Sequence, residues 1–182
     1  DIKYVNQPNV YGVYDDVIDT NDRVPIGNPT TPEIVYGFGP SFHYKGFDFS
    51  FFFQGIAKTS LFMSGLQPFG TTMDNKNVQT FIAEDHWSPD NQNIFAKYPR
   101  LTIERSANNA TTSTYWERDG AFLKLKNAEI GYTFKSMRFY LRGSNLLTFS
   151  KFKLWDPEQG GGNGLKYPTQ RVFNIGFQMT IK

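Results

Sequence analysis

Apolar and polar side chains alternate along two neighbouring stretches in the first third of the chain. From Glu33 to Tyr44 the even positions are apolar or aromatic apart from Pro40, and the odd positions are mostly small or polar. From Phe47 to Phe53 every odd position is a phenylalanine. This period of two predicts β-strands with one apolar face, although Pro40 removes one hydrogen bond from the ladder of the first strand.

The dipeptide Lys45-Gly46 lies between these two stretches and predicts a tight two-residue turn. Such a turn makes Tyr44 and Phe47 cross-strand partners, which brings the apolar residues of both strands to the same face. The register predicts two contacts on the other face: His43 with Asp48, and Phe52 over Gly39.

The same design recurs between Asn127 and Ser144. Apolar residues again occupy alternate positions on both sides of a predicted turn at Lys135-Ser136, and pairing Phe134 with Met137 aligns their faces. The polar-face contacts expected from this register are Glu129 opposite Arg142, and Tyr140 over Gly131. A last alternating run extends from Phe173 to Ile181.

Five main strands are therefore predicted, at about 33–44, 47–56, 121–134, 137–147 and 171–181. Their connections alternate between tight turns and long segments, about 57–120 and 148–170, which are rich in Asn, Thr, Gly and Pro. Short turns at one end and long loops at the other are typical of outer-membrane barrels. We therefore predict an all-β fold of antiparallel strands, and because even a small barrel takes about eight strands, these five could form only part of a transmembrane β-barrel.

Composition narrows the possible functions. The 182 residues are 17% aromatic, include no cysteine and carry a formal net charge of +2, which gives no basis for nucleic-acid binding. No apolar run approaches the length of about 18 residues that a membrane helix needs. The first 30 residues read as irregular, a short helix is expected near 75–85, and the opening Asp1-Ile2-Lys3 reads as the start of an internal fragment.

The chain carries no nucleophile elbow, P-loop or HExxH motif, so neither an enzyme nor a cofactor is expected. His86 lies between Asp85 and Trp87 in a predicted loop, where adjacent residues rarely converge on one reacting atom. Trp87, Trp116 and Trp155 lie in or beside the long loops. They are candidates for stacking on sugars, or they anchor loops and contribute to an interfacial aromatic girdle.

The polar face of the predicted strands carries charged and amide side chains. In a wide barrel this face would contact water or a plug, and on a soluble sheet it would be a solvated surface. The candidate lumen-facing residues are Asp48, Gln54, Glu129, Arg138 and Arg142.

Seven collinear segments cover nearly the whole chain: 21–29, 44–50, 98–101, 118–127, 145–148, 155–158 and the final strand. Together they resemble the C-terminal part of SusC/RagA-type TonB-dependent transporters. The resemblance implies a large barrel in the bacterial outer membrane with its C-terminus on the periplasmic side, surrounded by lipid. It implies further partners in the remainder of the barrel and its plug, in TonB, and in a SusD-type surface lipoprotein that acts as a lid. The implied cargo is oligosaccharide and sometimes peptide.

In this family the region before Asn21 often carries a calcium-binding loop with acidic residues at alternating positions. Here Asp15, Asp19 and Asp22 are the matching candidates, but Tyr11 and Val13 occupy two of the other ligand positions. A cage that lacks two oxygen ligands does not hold Ca²⁺ well, so no metal site is expected.

The final strand also resembles the closing signal that the barrel-assembly machinery reads. Asn174, Gly176, Met179 and Ile181 fit that signal, whereas Lys182 stands where the usual terminal aromatic would be. An ordinary amphipathic strand is the alternative explanation.

A soluble β-sandwich used as a carbohydrate-binding module remains the alternative for the whole chain. It accounts for the alternation and for the loop tryptophans, but less well for the order of short and long connections. It predicts that Phe47, Phe49 and Phe53 pack inside a self-sufficient core, whereas a barrel segment leaves them on an outer face.

Overall fold

The computed structural model describes residues 1–63, 78–102 and 106–181, and the chain divides into two compact units. The first unit comprises Asp1–Gly27 and Met63–Glu117, and the second comprises Asn28–Phe62 and Arg118–Lys182. In chain order the strands are β1 (Ile34–Phe38), β2 (Ser41–Tyr44), β3 (Phe47–Ala57), β4 (Ser60–Phe62), β5 (Glu117–Asp119), β6 (Phe122–Phe134), β7 (Met137–Ser150) and β8 (Val172–Met179). The helices are α1 (Thr80–Glu84), α2 (Ala107–Ala110) and two 3-10 turns, Thr20–Asp22 and Pro157–Gln159.

Six of the strands form the main sheet, which belongs to the second unit. Its order is β1-β3-β6-β7-β8, with β1 and β2 pairing with successive parts of β3, and every pairing is antiparallel. The fold is therefore all-β, as the alternation predicts.

The strand expected at 33–44 is interrupted at Gly39-Pro40 and becomes β1 and β2. Pro40 has no N–H to donate to the ladder, which explains the interruption. Both halves nevertheless keep one register on β3. The ring of Phe52 covers the predicted glycine, since a Cβ added at Gly39 would lie 2.8 Å from Phe52 Cδ2.

Both predicted tight turns are present and lie side by side. Tyr44 pairs with Phe47 and Phe134 pairs with Met137, as expected. The lysine that opens each turn has a positive φ, 47° at Lys45 and 54° at Lys135. A hydrogen bond joins the two turns: the backbone N–H of Thr133, near the second turn, donates to the carbonyl of Gly46 at 2.7 Å.

A β-bulge interrupts β6 between Leu125 and Asn127. The bulge shifts the alternation by one residue, so that Lys124 pairs directly with Gln54 of β3. Directly paired residues project to the same side of a sheet, which puts Lys124 on the polar face. The alternating pattern that begins at Asn127 does not reveal the bulge. One extra residue reverses the face that each earlier side chain occupies, and it leaves the composition unchanged.

The apolar face of the main sheet is uncovered. Phe51 and Phe53 on this face are half-buried, but many of its large side chains are between 42% and 90% exposed: Phe38, Tyr44, Phe47, Phe49, Ile130, Phe134, Phe139, Leu141, Ile175 and Phe177. This face is therefore not the interior of a self-sufficient core. Within the described residues the sheet is also open, since β8 pairs with β7 alone.

A second, two-stranded sheet of β4 and β5 is not predicted by the alternation. Leu61 is buried in it, at 3% exposure, and the strand is tied to neighbouring segments through Thr59 and Ser60. The Thr59 carbonyl accepts from Gly120 N–H at 2.9 Å, and Ser60 Oγ accepts from Asn28 N–H at 2.8 Å. Three-residue strands are too short to show a period, which is why sequence reasoning missed them.

The first unit is mostly irregular, as expected for its N-terminal part. Its core contains Met63, Ile82 and Trp116, and Met63 N–H donates to the Trp116 carbonyl at 2.9 Å. The helix expected near 75–85 is observed as α1, and residues 75–77 of that prediction lie outside the described residues. In the part of the chain that the structure describes, neither α-helix combines the length and the apolarity required to span a membrane.

Candidate functional site

A charged cluster occupies the polar face of the main sheet. Arg138 on β7 donates from Nε to Asp48 Oδ1 on β3 at 3.1 Å, and its Nη2 bonds to the other carboxylate oxygen of Asp48. The same Nη2 donates to Glu129 Oε1 on β6 at 2.7 Å. One guanidinium therefore joins three strands, and the ring of Tyr140 lies 5.0 Å from the guanidinium carbon.

Two details of this cluster differ from the predicted contacts. Glu129 faces Arg142 in the register, but its ion pair is with Arg138. Tyr140 pairs with Gly131 in the register, but its ring covers Gly176 instead, where an added Cβ would lie 2.1 Å from Cζ. The space above Gly131 holds the Asp48 carboxylate and the Arg138 guanidinium, because a glycine leaves room for both.

Of the other polar-face candidates, Arg142 is exposed and Gln54 is half-buried. Gln54 lies directly opposite Lys124, which leads to a second charged cluster.

Lys124 is the centre of that second cluster. Its side chain is only 1% exposed, and Nζ donates to Asp156 Oδ2 and to Glu158 Oε2 at 2.6 Å each. Lys126 donates to the remaining Glu158 oxygen at 2.7 Å. The two carboxylates belong to the loop between β7 and β8, so this cluster attaches a loop to the sheet.

The carboxylates of this loop have perturbed pKa values. Burial raises the pKa of Asp156, but the hydrogen bonds from Lys124 and from the backbone N–H of Glu158 outweigh it, and the pKa lies below its ordinary value. Burial likewise raises the pKa of Glu158, and hydrogen bonds from Lys124 and Lys126 reverse the shift. Both carboxyls are therefore ionised at neutral pH.

Sequence reasoning noted the segments 118–127 and 155–158 separately and did not connect them. The only available signal was that one segment is cationic and the other carries Asp156 and Glu158. Charge complementarity alone does not select one pair of segments among many.

The three tryptophans have different surroundings. Trp116 is 1% exposed and its indole N–H donates to the Asn109 carbonyl at 2.8 Å, so it fits the second of its two predicted roles, that of an anchor, rather than sugar stacking. Trp155 anchors its own loop: its Nε1 donates to the Gly160 carbonyl at 2.9 Å, and its ring packs edge-on against Phe152. Trp87 lines an open depression.

That depression lies within the first unit and has a volume of about 1000 Å³. Aromatic residues form much of its wall, namely Tyr4, Trp87, Tyr98 and Tyr115. Arg100 also lines it and is paired with Asp1 at 2.8 Å. Aromatic walls with a few polar groups are the ordinary composition of a ligand pocket.

The acidic residues of the N-terminal segment bond to backbone. Asp22 accepts from the N–H groups of Gln7 and Asp19 at 2.6 Å each, and these bonds lower its pKa. Asp19 accepts from Asn21 N–H, and Asp15 accepts from Val17 N–H. In the described ranges these carboxylates do not gather with other acidic or histidine side chains into a group able to hold a metal ion.

The residues of the predicted closing signal lie at the open edge of the main sheet. Asn174, Gly176 and Met179 belong to β8 and pair with Arg142, Tyr140 and Met137 of β7. Ile181 lies just beyond the strand and is 86% exposed. Their arrangement leaves the other edge of β8 available for a further strand.

No family model matches the chain, but two curated relatives do. The TonB-dependent receptor P26 of Formosa agariphila is 30% identical over 195 residues, which cover 92% of this chain and 19% of that receptor. The TonB-dependent receptor P3 of the same organism is 32% identical, in an alignment that covers 89% of this chain and 18% of that receptor. The chain thus spans about a fifth of the curated relatives that it matches.

Solved structures of the RagAB peptide transporter have the same fold. One superposes with a TM-score of 0.71 at 23% identity and covers 96% of this chain and 20% of the solved chain. The closed-closed state of the RagAB peptide importer superposes with a TM-score of 0.70 at 22% identity, over 97% of this chain and 20% of the other. These proteins are receptors and transporters, not enzymes. By its curated relatives this chain belongs to the TonB-dependent receptors of the outer membrane, and its open antiparallel sheet has the fold of a segment of the RagAB transporter.

Proposed function

We propose that the full-length protein is a TonB-dependent importer that carries oligosaccharides or peptides across the outer membrane, and that this chain supplies part of its barrel wall. The observation that carries the proposal is an open sheet with exposed aromatic residues on one face and ion pairs on the other. An apolar surface of this extent needs a cover. Lipid provides that cover in a barrel, where each strand edge is paired and no backbone group is left unsatisfied.

The orientation of the sheet follows from its two faces. The apolar face contacts lipid, because a charged residue at mid-depth there costs about 2–4 kcal/mol. The opposite face, with Asp48, Gln54, Glu129, Arg138 and Arg142, lines the interior of the barrel. An interior position also suits the ion pairs of Arg138, whose carboxylate partners are only partly exposed.

The two long connections, about 57–120 and 148–170, are assigned to the extracellular side, and the tight turns and the C-terminus to the periplasmic side. The depression that Trp87 lines then faces incoming cargo. A tryptophan ring stacks equally well on the apolar face of a sugar and on a peptide side chain, so it suits both cargo classes.

The partners follow from the same assignment. The remainder of the barrel supplies the strands beside β1, β2 and β8, and the plug occupies the interior. TonB provides energy from the inner membrane, and a SusD-type lipoprotein closes the mouth. The fold shared with the RagAB peptide transporter makes peptides the first cargo class to test.

The exposed apolar face of the main sheet disfavours a soluble carbohydrate-binding β-sandwich. A sandwich would bury residues such as Phe47 and Phe49 under a second sheet, and they are 55% and 42% exposed.

The test is uptake of labelled cargo by cells that lack the full-length gene. We expect uptake of labelled peptides or oligosaccharides to disappear on deletion, to return with the intact gene, and to stop when an uncoupler removes the proton-motive force. Unchanged uptake of both cargo classes in the deleted strain would refute the proposal.

The depression is tested with matched aromatic substitutions. Trp87→Ala should raise the cargo concentration needed for half-maximal uptake, whereas Phe95→Ala should not, since Phe95 is 85% exposed and does not line the depression. Equal effects of the two substitutions would exclude the depression as a cargo contact.

A further inference from the structure

The loop between β7 and β8 is attached to the main sheet through a buried cation. Lys124 projects from β6 and is 1% exposed, and its cross-strand neighbours Gln54 and Thr148 carry no charge. Its two anionic partners, Asp156 and Glu158, both come from the loop. With Lys126 added, two cations face two anions, so the charges balance only while the loop is docked.

The docked part of the loop is rigid within itself. Asp156 caps a 3-10 turn by accepting from Glu158 N–H at 3.1 Å, and Pro157 at the start of that turn is buried. Trp155 bonds to the Gly160 carbonyl and packs on Phe152 with ring centroids 4.6 Å apart. Residues 152–160 therefore hold together through their own contacts and can move as one body.

The loop has further attachments, and Asn145 Nδ2 of β7 donates to the Gln170 carbonyl at 3.0 Å. Gly162 N–H donates to the Phe62 carbonyl of β4 at 2.8 Å. Lys151 pairs with Asp119 at 3.5 Å, but its side chain is 87% exposed, and exposed pairs contribute little. Residues 165–171 are exposed throughout. Among the ion pairs of this loop, the one at Lys124 is therefore the buried one, and it acts beside the buried side chains of Phe152 and Pro157.

We propose that the β7–β8 loop is a strap held by an ionic clasp, Lys124 with Asp156 and Glu158, and that it detaches as a unit when the charges of the clasp are unbalanced. Removing one partner of a buried ion pair leaves the other charge uncompensated, which destabilises far more than removing both. A detached strap would free residues 152–160 to swing away from β6 while the strands stay paired.

The clasp can be tested by cysteine labelling in the full-length transporter in outer-membrane vesicles. The chain has no native cysteine, so Pro157→Cys introduces a buried thiol that reacts only when the strap opens, with any cysteine elsewhere in the transporter replaced by serine. The labelling rate of Pro157→Cys is divided by the labelling rate of Tyr167→Cys, because Tyr167 is 78% exposed in the native protein. We expect Asp156→Asn to raise this ratio about tenfold or more, and Glu158→Gln to raise it as well.

The matched control is Asp119→Asn, which makes the same chemical change in the exposed pair with Lys151 and should change the ratio less than about twofold. Adding Lys124→Met to Asp156→Asn removes the buried charge and should return the ratio towards the native value. A merely structural aspartate would show no such rescue. Native labelling in both carboxylate variants, or no rescue by Lys124→Met, would overturn the proposal. Heat-modifiability on gels checks that each barrel is folded.

Discussion

At the residue scale, one guanidinium organises most of the charge on the polar face. Arg138 neutralises two carboxylates, Asp48 and Glu129, whose side chains are 16% and 25% exposed. Arginine suits this role because its planar fork presents several donors in fixed directions, so one side chain bonds two acids on different strands. The sequence predicts all of these residues on the polar face and Glu129 opposite Arg142; that register is observed, but the ion pair of Glu129 is with Arg138.

Replacing Arg138 by leucine should lower the free energy of unfolding by about 1 kcal/mol, a value discounted for the partial exposure of the pair. The same change at Arg142, which is exposed and has no ion-pair partner within the described residues, should cost much less. Urea-induced unfolding of the full-length transporter in lipid vesicles measures both. A larger loss for Arg142→Leu would mean that the cluster contributes nothing to stability.

The carboxyls of the clasp should make the strap sensitive to acid. The pKa values of Asp156 and Glu158 are lowered in the folded protein. Their contribution to the docking of the strap is therefore complete when the pH lies above the ordinary carboxyl pKa values, and it is lost as the pH falls through the lowered pKa values of the folded protein. The charged groups that face them are Lys124 and Lys126, which stay cationic throughout. The labelling ratio of Pro157→Cys to Tyr167→Cys, measured with a dithiodipyridine reagent, should therefore be flat near neutrality and rise below about pH 4. A flat ratio down to about pH 3 would contradict this prediction.

At the element scale, alternation predicted what depends on local pairing. The registers of the two hairpins follow from a period of two together with a two-residue turn, and both registers are observed. What alternation missed was each place where one residue breaks the period: the interruption at Pro40 and the bulge after Leu125. The bulge matters most, because counting back from Ala128 through an unbroken strand would direct Lys124 towards the apolar face.

The assignment of the faces can be tested on adjacent residues of β3. Phe49→Arg puts a charge on the apolar face, where burial in lipid costs up to about 2–4 kcal/mol, and should reduce the folded barrel in the outer membrane several-fold. Ser50→Arg puts the same charge on the other face, directly opposite Glu129, and should leave the yield within about twofold of native. Heat-modifiability of the membrane fraction measures the yield of folded barrel for both variants. Equal yields would contradict this assignment of the faces.

At the scale of the whole molecule, the chain has two sheet edges and one uncovered apolar face. Open edges and apolar patches promote association with other strands, and soluble proteins avoid both. The alternation predicted the apolar face, and the count of five strands predicted a sheet that does not close by itself. The clasp between Lys124 and the β7–β8 loop was not anticipated, because contacts between residues 124 and 156 leave no periodic trace in the sequence.

Expressed alone, residues 1–182 should therefore not give a detergent-free monomer. We expect aggregates or inclusion bodies that dissolve only with detergent, as judged by size-exclusion chromatography with light scattering. A stable monomer in plain buffer would mean that the exposed phenylalanines find a cover within the chain itself, which would favour the soluble sandwich.

The lengths of β6 and β7 have a further consequence. These strands contain 13 and 14 residues, whereas about 9–11 residues of a tilted strand cross a bilayer. Lys45 and Lys135 lie in the tight turns, and their ammonium groups are 5.3 Å from the rings of Tyr44 and Phe134. In the proposed orientation these lysines and rings hold one rim of the sheet at the height of the phospholipid headgroups. In that orientation the surplus of roughly three residues then extends about 7 Å beyond the opposite leaflet, given the tilt of the strands. Lys124 lies in that segment, so in the proposed orientation its buried ionic contacts with the loop lie above the membrane rather than at the depth of the acyl chains.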